Sequence, residues 1–386
     1  MKFRKAALFV LLNWAAFFLY ANQAQPKISV LTCGPGEAIY SMYGHNALRL
    51  TWNDGRDLVF NYGTFDFQTP FFAIKFMRGK LPYYLTVSTF EDFIREYTYD
   101  ERGVTEQVIR LDSAETEKVV TFLEENMKPE NRAYKYDFFY DNCATRIYDV
   151  LQAGTFEQIQ WKKNRDTLFT FRDILKAYQY NFPWTDFGID IIIGAKADKT
   201  ATLEEEMFIP DFVKYHLDEA NLQGNPIVRE SENILVFRHQ KMPGWKRYLT
   251  GPVLLFSLLL FLEFIWIARS TSNIPAFNVI KYADKAWFGI LTFIGIVILV
   301  MWFLTDHEPT KYNWNIIWTL PLAGMFFTKM RESKLYFTVV DILLMITLLQ
   351  SFQMPLLPQA FHPVFGIIAA ISLLKIIRIQ RAIRSV

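Results

Sequence analysis

From Gly251 to the end of the chain, long apolar runs alternate with short polar breaks, whereas residues 25 to 248 carry the mixed pattern of a water-exposed protein. A helix that crosses a bilayer needs about 20 apolar residues. Five runs meet or approach that length: Gly251–Ala268, Ala286–Thr305, Asn315–Thr328, Leu335–Gln353 and Pro363–Ile377, the third and fifth being the shortest. At the other end, Lys2, Arg4 and Lys5 precede an apolar core from Ala6 to Ala21, the shape of a secretory signal or an uncleaved anchor. The expected division is therefore 1–24 signal or anchor, 25–248 exported domain and 249–386 C-terminal transmembrane helical domain.

The basic residues orient these runs. Arg269, Lys281 and Lys285 follow the first run, Lys329, Arg331 and Lys334 follow the third, and Lys375, Arg378, Arg381 and Arg384 close the chain. The alternate loops, DHEPTKYNWN and SFQMPLLPQAFHP, hold one lysine between them. By the positive-inside rule the basic loops and the C-terminus are cytoplasmic and residues 25–248 lie outside, in agreement with the signal. Glu263 and Asp341 fall inside apolar runs, level with Lys375, and are expected to pair with it. The whole-chain net charge of +2 says little about partners, its distribution says more, and no nucleic-acid partner is expected.

In the exported part, KISVLTC reads as a strand ending in a Gly-Pro-Gly turn, and NALRLTW alternates Leu48, Leu50 and Trp52 with Ala47, Arg49 and Thr51. NDG is a hairpin signal and DLVFNYGTF the returning strand. SAETEKVVTFLEENM, with Ser113 as its start, and CATRIYDVLQAG, stopped by Gly154, have helical spacing. Strands first and helices later predict an α+β domain. Residues 155 to 245 mix helical stretches and loops to which the sequence assigns no chemistry.

Two cysteines and five histidines limit the chemistry available. Cys143 follows Asp141 and Asn142, both good caps, so it occupies the first helical turn, where free N–H groups and the helix dipole are expected to lower a thiol pKa and to receive an oxyanion. His45, at the start of a strand beside Gly44, is the natural base. If NDG forms a three-residue loop with Gly55 left-handed, Ala47 faces Asn61 and His45 faces Gly63, which makes Asn61 the orienting group. Asp57 would then lie roughly 20 Å along the strand from His45. The same residues also admit a Cys33–Cys143 disulfide or an inert packing role. No His/Cys cluster has metal-ligand spacing, and no cofactor is expected.

The segments LTCGPGEAIYSMYGHNALRL, FNYGTFDF, FMRGKLPYYL, FFYDNCATRI, FGIDIIIGAKADKTAT and EEEMFIP, in that order and with the multi-span tail, resemble the Lnb family of lipoprotein N-acyltransferases of Bacteroidota. That resemblance covers nearly the whole chain. It implies a permuted papain-like domain, similar to lecithin retinol acyltransferase, in which the His strand precedes the Cys helix, fused to an all-α bundle of about five transmembrane helices in a bacterial inner membrane. It implies Cys143 as nucleophile, His45 as base, and a third residue near Asp57, where hairpin geometry favours Asn61 instead. The implied partners are a membrane phospholipid as acyl donor and a diacylated apolipoprotein as acceptor. Tyr43, Arg146 and Asn142 are candidates for holding an oxyanion or phosphate. The aromatic stretch DFQTPFFAIKFMRGKLPYYL would form a wall facing lipid, with Arg78 and Lys80 near phosphate. His307, Asn313 and Asn315, in an external loop, are placed to reach the site. Two rivals remain: a membrane-anchored cysteine peptidase or amidase acting on peptidoglycan, and a non-enzymatic scaffold with the Cys33–Cys143 disulfide.

Overall fold

The computed structural model describes residues 25–156, 158–162, 168–237, 240–269 and 277–384, so the signal or anchor segment lies outside the described residues. Ten strands form the sheets: β1 (Lys27–Cys33), β2 (His45–Thr51), β3 (Asp57–Thr64), β4 (Pro82–Thr89), β5 (Val104–Ile109), β6 (Ala133–Lys135), β7 (Ile159–Gln160), β8 (Asn221–Leu222), β9 (Asn225–Pro226) and β10 (Val228–Leu235). Seven make an antiparallel sheet in the order β10-β5-β1-β2-β3-β4-β6, and β7-β8-β9 make a small second one. Helices α1 (Phe72–Met77), α2 (Phe90–Tyr99), α3 (Ser113–Met127), α4 (Cys143–Gly154), α5 (Phe171–Gln179), α6 (Pro183–Ile192) and α7 (Pro210–Glu219) complete an α+β unit.

The central strand β1 is covered on both faces, and its period of two shows how. Ile28 and Val30 face a core with Leu48, Leu50, Val119, Leu123, Ala144 and Ile147, while Leu31 and Cys33 face Ala47, Val59, Phe93 and Tyr97. Helices α3 and α4 thus cover one face and α2 the other. The helices α3 and α4 meet at Gly154, where any Cβ would stand 2.2 Å from Val119 Cγ2. The cap of α3 is Asp112, not Ser113: its carboxylate accepts from Glu115 N–H, and the Glu115 carboxylate accepts in return from Asp112 N–H.

Among the described residues four helices are long and apolar enough to cross a membrane: α8 (Pro252–Arg269), α9 (Phe277–Phe303, over its Tyr282–Phe303 part), α10 (Lys334–Ser351) and α11 (Pro363–Arg384, over Pro363–Arg381). The expected span at Asn315–Thr328 is instead a short helix, Ile316–Thr319, running into a 3-10 helix, Leu320–Phe326. Pro321 lacks the N–H that an α-helix would need there. Gly324 admits Tyr336 so closely that a Cβ would lie 2.4 Å from its ring. The fifth expected span, by contrast, is longer than its apolar run.

The buried charges form a quartet. Lys375 bonds Glu263 and Asp284, each at 2.9 Å, and Arg378 bonds the same two acids at 2.9 and 2.6 Å. Glu263 pairs with Lys375 as expected. The second acid is Asp284, whereas Asp341 stands beside Gln380. Two cations and two anions cancel, which offsets desolvation that no single member would tolerate. Lys375→Met leaves two carboxylates on Arg378 alone. The thermal midpoint of the detergent-solubilised protein should fall by the equivalent of about 3 kcal/mol, and an unchanged midpoint would refute a stabilising role for the quartet.

Candidate active site

The hairpin sets the first half of the site. Trp52 N–H bonds Arg56 O at 2.9 Å, which leaves Asn53, Asp54 and Gly55 as a three-residue loop, with Gly55 left-handed at φ 93°. The resulting register pairs Leu48 with Phe60 and Thr51 with Asp57. Continued outward, it sets Ala47 against Asn61 and His45 against Gly63. His45 Nε2 lies 3.3 Å from Asn61 Oδ1. Because that oxygen only accepts, Nε2 carries the proton and Nδ1 keeps its lone pair. Asp57 is elsewhere: Arg49 binds its carboxylate in a fork at 2.8 and 2.7 Å and bonds Glu106 at 2.9 Å.

The second half is the start of α4. Asn142 caps it, accepting from Ala144 and Thr145 N–H at 2.7 and 3.1 Å, while Thr145 Oγ1 accepts from Asn142 N–H at 2.8 Å. The Asn142 amide also donates to Phe138 O and Phe208 O. Both polar atoms of its side chain are therefore occupied, the oxygen in the cap, a motif worth about 1 kcal/mol. Cys143 is thereby fixed in the first turn, half-buried, with its Cβ 3.6 Å from where a Gly63 Cβ would stand. Gly63 has φ 92° at an irregularity of β3, so its conformation calls for glycine.

Three backbone N–H groups act on the Cys143 thiol and favour its thiolate: that of Asn46, the residue after His45, that of Ala144, and its own. The Asn46 amide is what joins the His strand to the Cys helix. Among the described residues His45 and Cys143 form no hydrogen bond to each other. Burial dominates both groups. It pushes the Cys143 thiol above its ordinary range despite the three N–H groups and the Arg102 cation, so the lowered pKa expected at a helix start is not found. Burial, then the Arg102 cation, pushes His45 down to about 4, with the Asn61 hydrogen bond opposing. At rest the pair is a neutral thiol beside a neutral imidazole.

Arg102 gives no signal in the sequence, where it stands in the turn DERG. The fold buries it: Nε donates to Gly34 O at 2.9 Å, the guanidinium lies 4.7 Å from the Tyr97 ring centre, and one Nη has no hydrogen-bond partner. Its charge acts on Cys33, His45 and Cys143 alike.

The other expected residues are placed as follows. Cys33 is a free thiol, as is Cys143; it sits among Leu31, Ala47, Phe93 and Tyr97, away from the core that α4 packs on, and burial pushes it up to about 12. The disulfide is thus not formed. The Tyr43 hydroxyl accepts from Gln179 at 2.7 Å, and its ring packs on Phe138 and Tyr178. Arg146 grips Asp141 at 2.5 and 2.7 Å and lies 4.4 Å from the Tyr134 ring centre. Arg78 and Lys80 are exposed beside the outer end of α9, where Asp306 N–H bonds Arg78 O at 3.0 Å. Asn313 and Asn315 do not reach the site but hold the end of α6, and His307 Nε2 donates to Phe76 O at 3.0 Å.

These parts define a class: a membrane protein whose α+β unit presents a cysteine at a helix start, beside a strand carrying a His–Asn couple. Family comparison agrees. The Lnb N-terminal periplasmic domain matches residues 17–177 and the Lnb transmembrane domain matches residues 246–384. The chain belongs to the Lnb family, and its N-terminal domain is periplasmic. No curated protein and no solved structure matches it.

Two outcomes follow from the electrostatics. The rate of Cys143 alkylation by iodoacetamide should rise with pH only above the ordinary thiol range, because the thiolate is disfavoured. A plateau extending down to pH 4–6 would instead reveal a thiolate–imidazolium pair. Arg102→Met removes a cation that favours the thiolate and the neutral imidazole, so it should move that rise to still higher pH and raise the His45 pKa from about 4, as read by NMR of the ring. The sign for stability follows as well. The unfolded chain protonates His45 near 6.5 and the folded chain only near 4, so stability is lost as pH falls through that window.

Proposed function

We propose that this protein is a phospholipid:apolipoprotein N-acyltransferase working through a Cys143 thioester. The observation that carries the reading is the convergence of Cys143, the Asn46 N–H and the His45–Asn61 couple on a periplasmic unit docked to membrane helices. His45 Nδ1 takes the thiol proton as the sulphur attacks an ester carbonyl of a membrane phospholipid. The N–H groups of Cys143 and Asn46, which already act on the thiol, would receive the oxyanion. The C–O bond breaks, His45 returns the proton to the departing alkoxide, and lysophospholipid leaves. The α-amine of a diacylglyceryl-cysteine then attacks the thioester, forming the amide and restoring the thiol, with the amine proton passing through His45. Asn61 holds the ring in the tautomer that leaves Nδ1 free.

A half-buried, neutral pair suits this substrate. A lipid ester brings little water, and a thioester survives only where water is excluded. In this reading residues 25–248 form the catalytic domain, 249–386 the membrane domain with a cytoplasmic C-terminus, and the chain needs no cofactor for acyl transfer.

The test is the intact mass of the protein purified in phospholipid micelles without an amine acceptor, before and after hydroxylamine. One acyl chain on the protein, released by hydroxylamine and absent in Cys143→Ser, is the expected result. Free thiols that never acquire an acyl chain would overturn the reading and favour peptide or amide hydrolysis.

A further inference from the structure

Among helices α1 to α7, α1 alone has no buried residue. Phe67 is 69% exposed, Phe71 76%, Ile74 51% and Met77 57%. The rings of Phe65, Phe67, Phe72 and Phe76 form a continuous ladder with centroids 4.9–6.1 Å apart. Left in water, such a patch costs free energy that nothing in the unit offsets. Its position tells what covers it. His307, just beyond the outer end of α9, donates to Phe76 O, Asp306 N–H bonds Arg78 O, and a Cβ on Gly79 would meet Asp306 and His307 at 3.4 Å. The patch is therefore pinned to the level at which a membrane-crossing helix leaves the bilayer. Exposed Phe303 at the end of α9 and Leu304 just after it continue the apolar surface, and Lys75, Arg78 and Lys80 border it with positive charge.

Behind the patch lies a cavity of about 360 Å³ walled by Gly79, Lys80, Pro82, Tyr134, Lys135 and Asp306. Lys135 is paired with Asp306 at 3.0 Å, whereas Lys80 forms no ion pair among the described residues. The inner wall, Tyr134, has a buried hydroxyl without a hydrogen-bond partner, and it lies 3.9 Å from the Gly63 position that abuts Cys143. Tyr134 thus borders both this cavity and the Gly63 position that Cys143 abuts.

We infer that α1 lies in the external headgroup layer of the bilayer and that the cavity beside Lys80 is the entry by which a phospholipid of that leaflet reaches Cys143. The aromatic ladder takes the acyl region, and the free ammonium of Lys80, one wall away from the unpartnered Tyr134 hydroxyl, faces the phosphate. The membrane placement stands by itself; the entry route rests on the acyl-transfer reading.

The two parts are tested separately on the full chain in vesicles of phosphatidylethanolamine and phosphatidylglycerol. On a Cys143→Ser background, spin labels at Ile74→Cys and Phe71→Cys are compared by power saturation with Phe293→Cys on α9 and Tyr99→Cys on the water-exposed end of α2. Accessibility to oxygen over a nickel chelate, as at position 293, is expected. Accessibility like that at position 99 would overturn the placement, whatever the enzyme does. With Cys143 intact, Phe71→Ser/Ile74→Ser and Lys80→Ala should slow acyl-thioester formation from vesicle lipid by roughly tenfold. The serine pair should leave the rate from a monomeric short-chain phospholipid unchanged. Equal slowing with both donors would overturn the entry route. A Cys143 that accepts no acyl chain from either donor would overturn the acyl-transfer reading and the route together, while leaving the membrane placement to the spin labels.

Discussion

The arrangement hangs on the end of one helix. The last carbonyls of α6 have no partner within the helix, as at any helix C-terminus. Here they are met from the membrane domain: Asn313 donates to Ile191 O and Ile192 O, Asn315 to Asp190 O and Ile191 O, and Gln359 to Ile193 O. Gly194 follows, so close to Lys311 that a Cβ would stand 2.0 Å from its carbonyl oxygen. Beneath them Arg172 is buried against Asp190, Asp198 and Gly194 O, and the apolar side of α6 packs Phe187 and Ile191 on α8 and α11. A buried amide without a partner costs about 1–3 kcal/mol. The two domains therefore dock in one register, and that register fixes how far Cys143 stands from the bilayer.

This docking gives a role to residues 155–245 that their pattern did not disclose. The stretch GIDIIIGAKADKTAT reads as a loop, yet its first residues end α6, and the sequence offers no hint that this helix packs Phe187 and Ile191 on a membrane bundle. The partners are single polar residues more than 100 positions away, in a loop that reads as merely polar. Docking of this kind is a matter of complementary carbonyls and amides, and neither carries a periodic signature.

What was legible in the chain is what depends on neighbours in sequence. The NDG loop decides the hairpin parity and with it the His45–Asn61 couple, because a one-residue slip would turn Asn61 to the other face. The caps at Asn142 and the apolar spacing of CATRIYDVLQAG set Cys143 at the helix start. The long apolar runs gave four of the five expected spans. What depends on distant packing was not legible. The run at Asn315–Thr328 is apolar enough but is bent by Pro321 and by the close approach of Tyr336 at Gly324. Asp284, at the edge of an apolar run, replaces Asp341 in the quartet because helix rotation, not depth alone, selects the partner. Arg102 joins the site only because the β1–β5 pairing brings its turn against Gly34.

The thiol illustrates the same division. A helix start predicts a lowered pKa, and the three N–H groups at the Cys143 sulphur do act in that direction. Burial acts against them and is larger. The dipole is a local property, and desolvation belongs to the whole fold. The result bears on mechanism. A thiolate resting beside an imidazolium would be a strong nucleophile in water and an exposed target for oxidants in the periplasm. In the proposed reaction, a neutral thiol under a buried cation, with three N–H groups favouring its thiolate, would become a thiolate only as charge moves to a bound electrophile. The same dry surroundings that hold the thiol neutral would lengthen the life of a thioester formed there, since hydrolysis needs the water that burial excludes. On the acyl-transfer reading, the cost of an unactivated nucleophile and the protection of its acylated form would come from one physical cause.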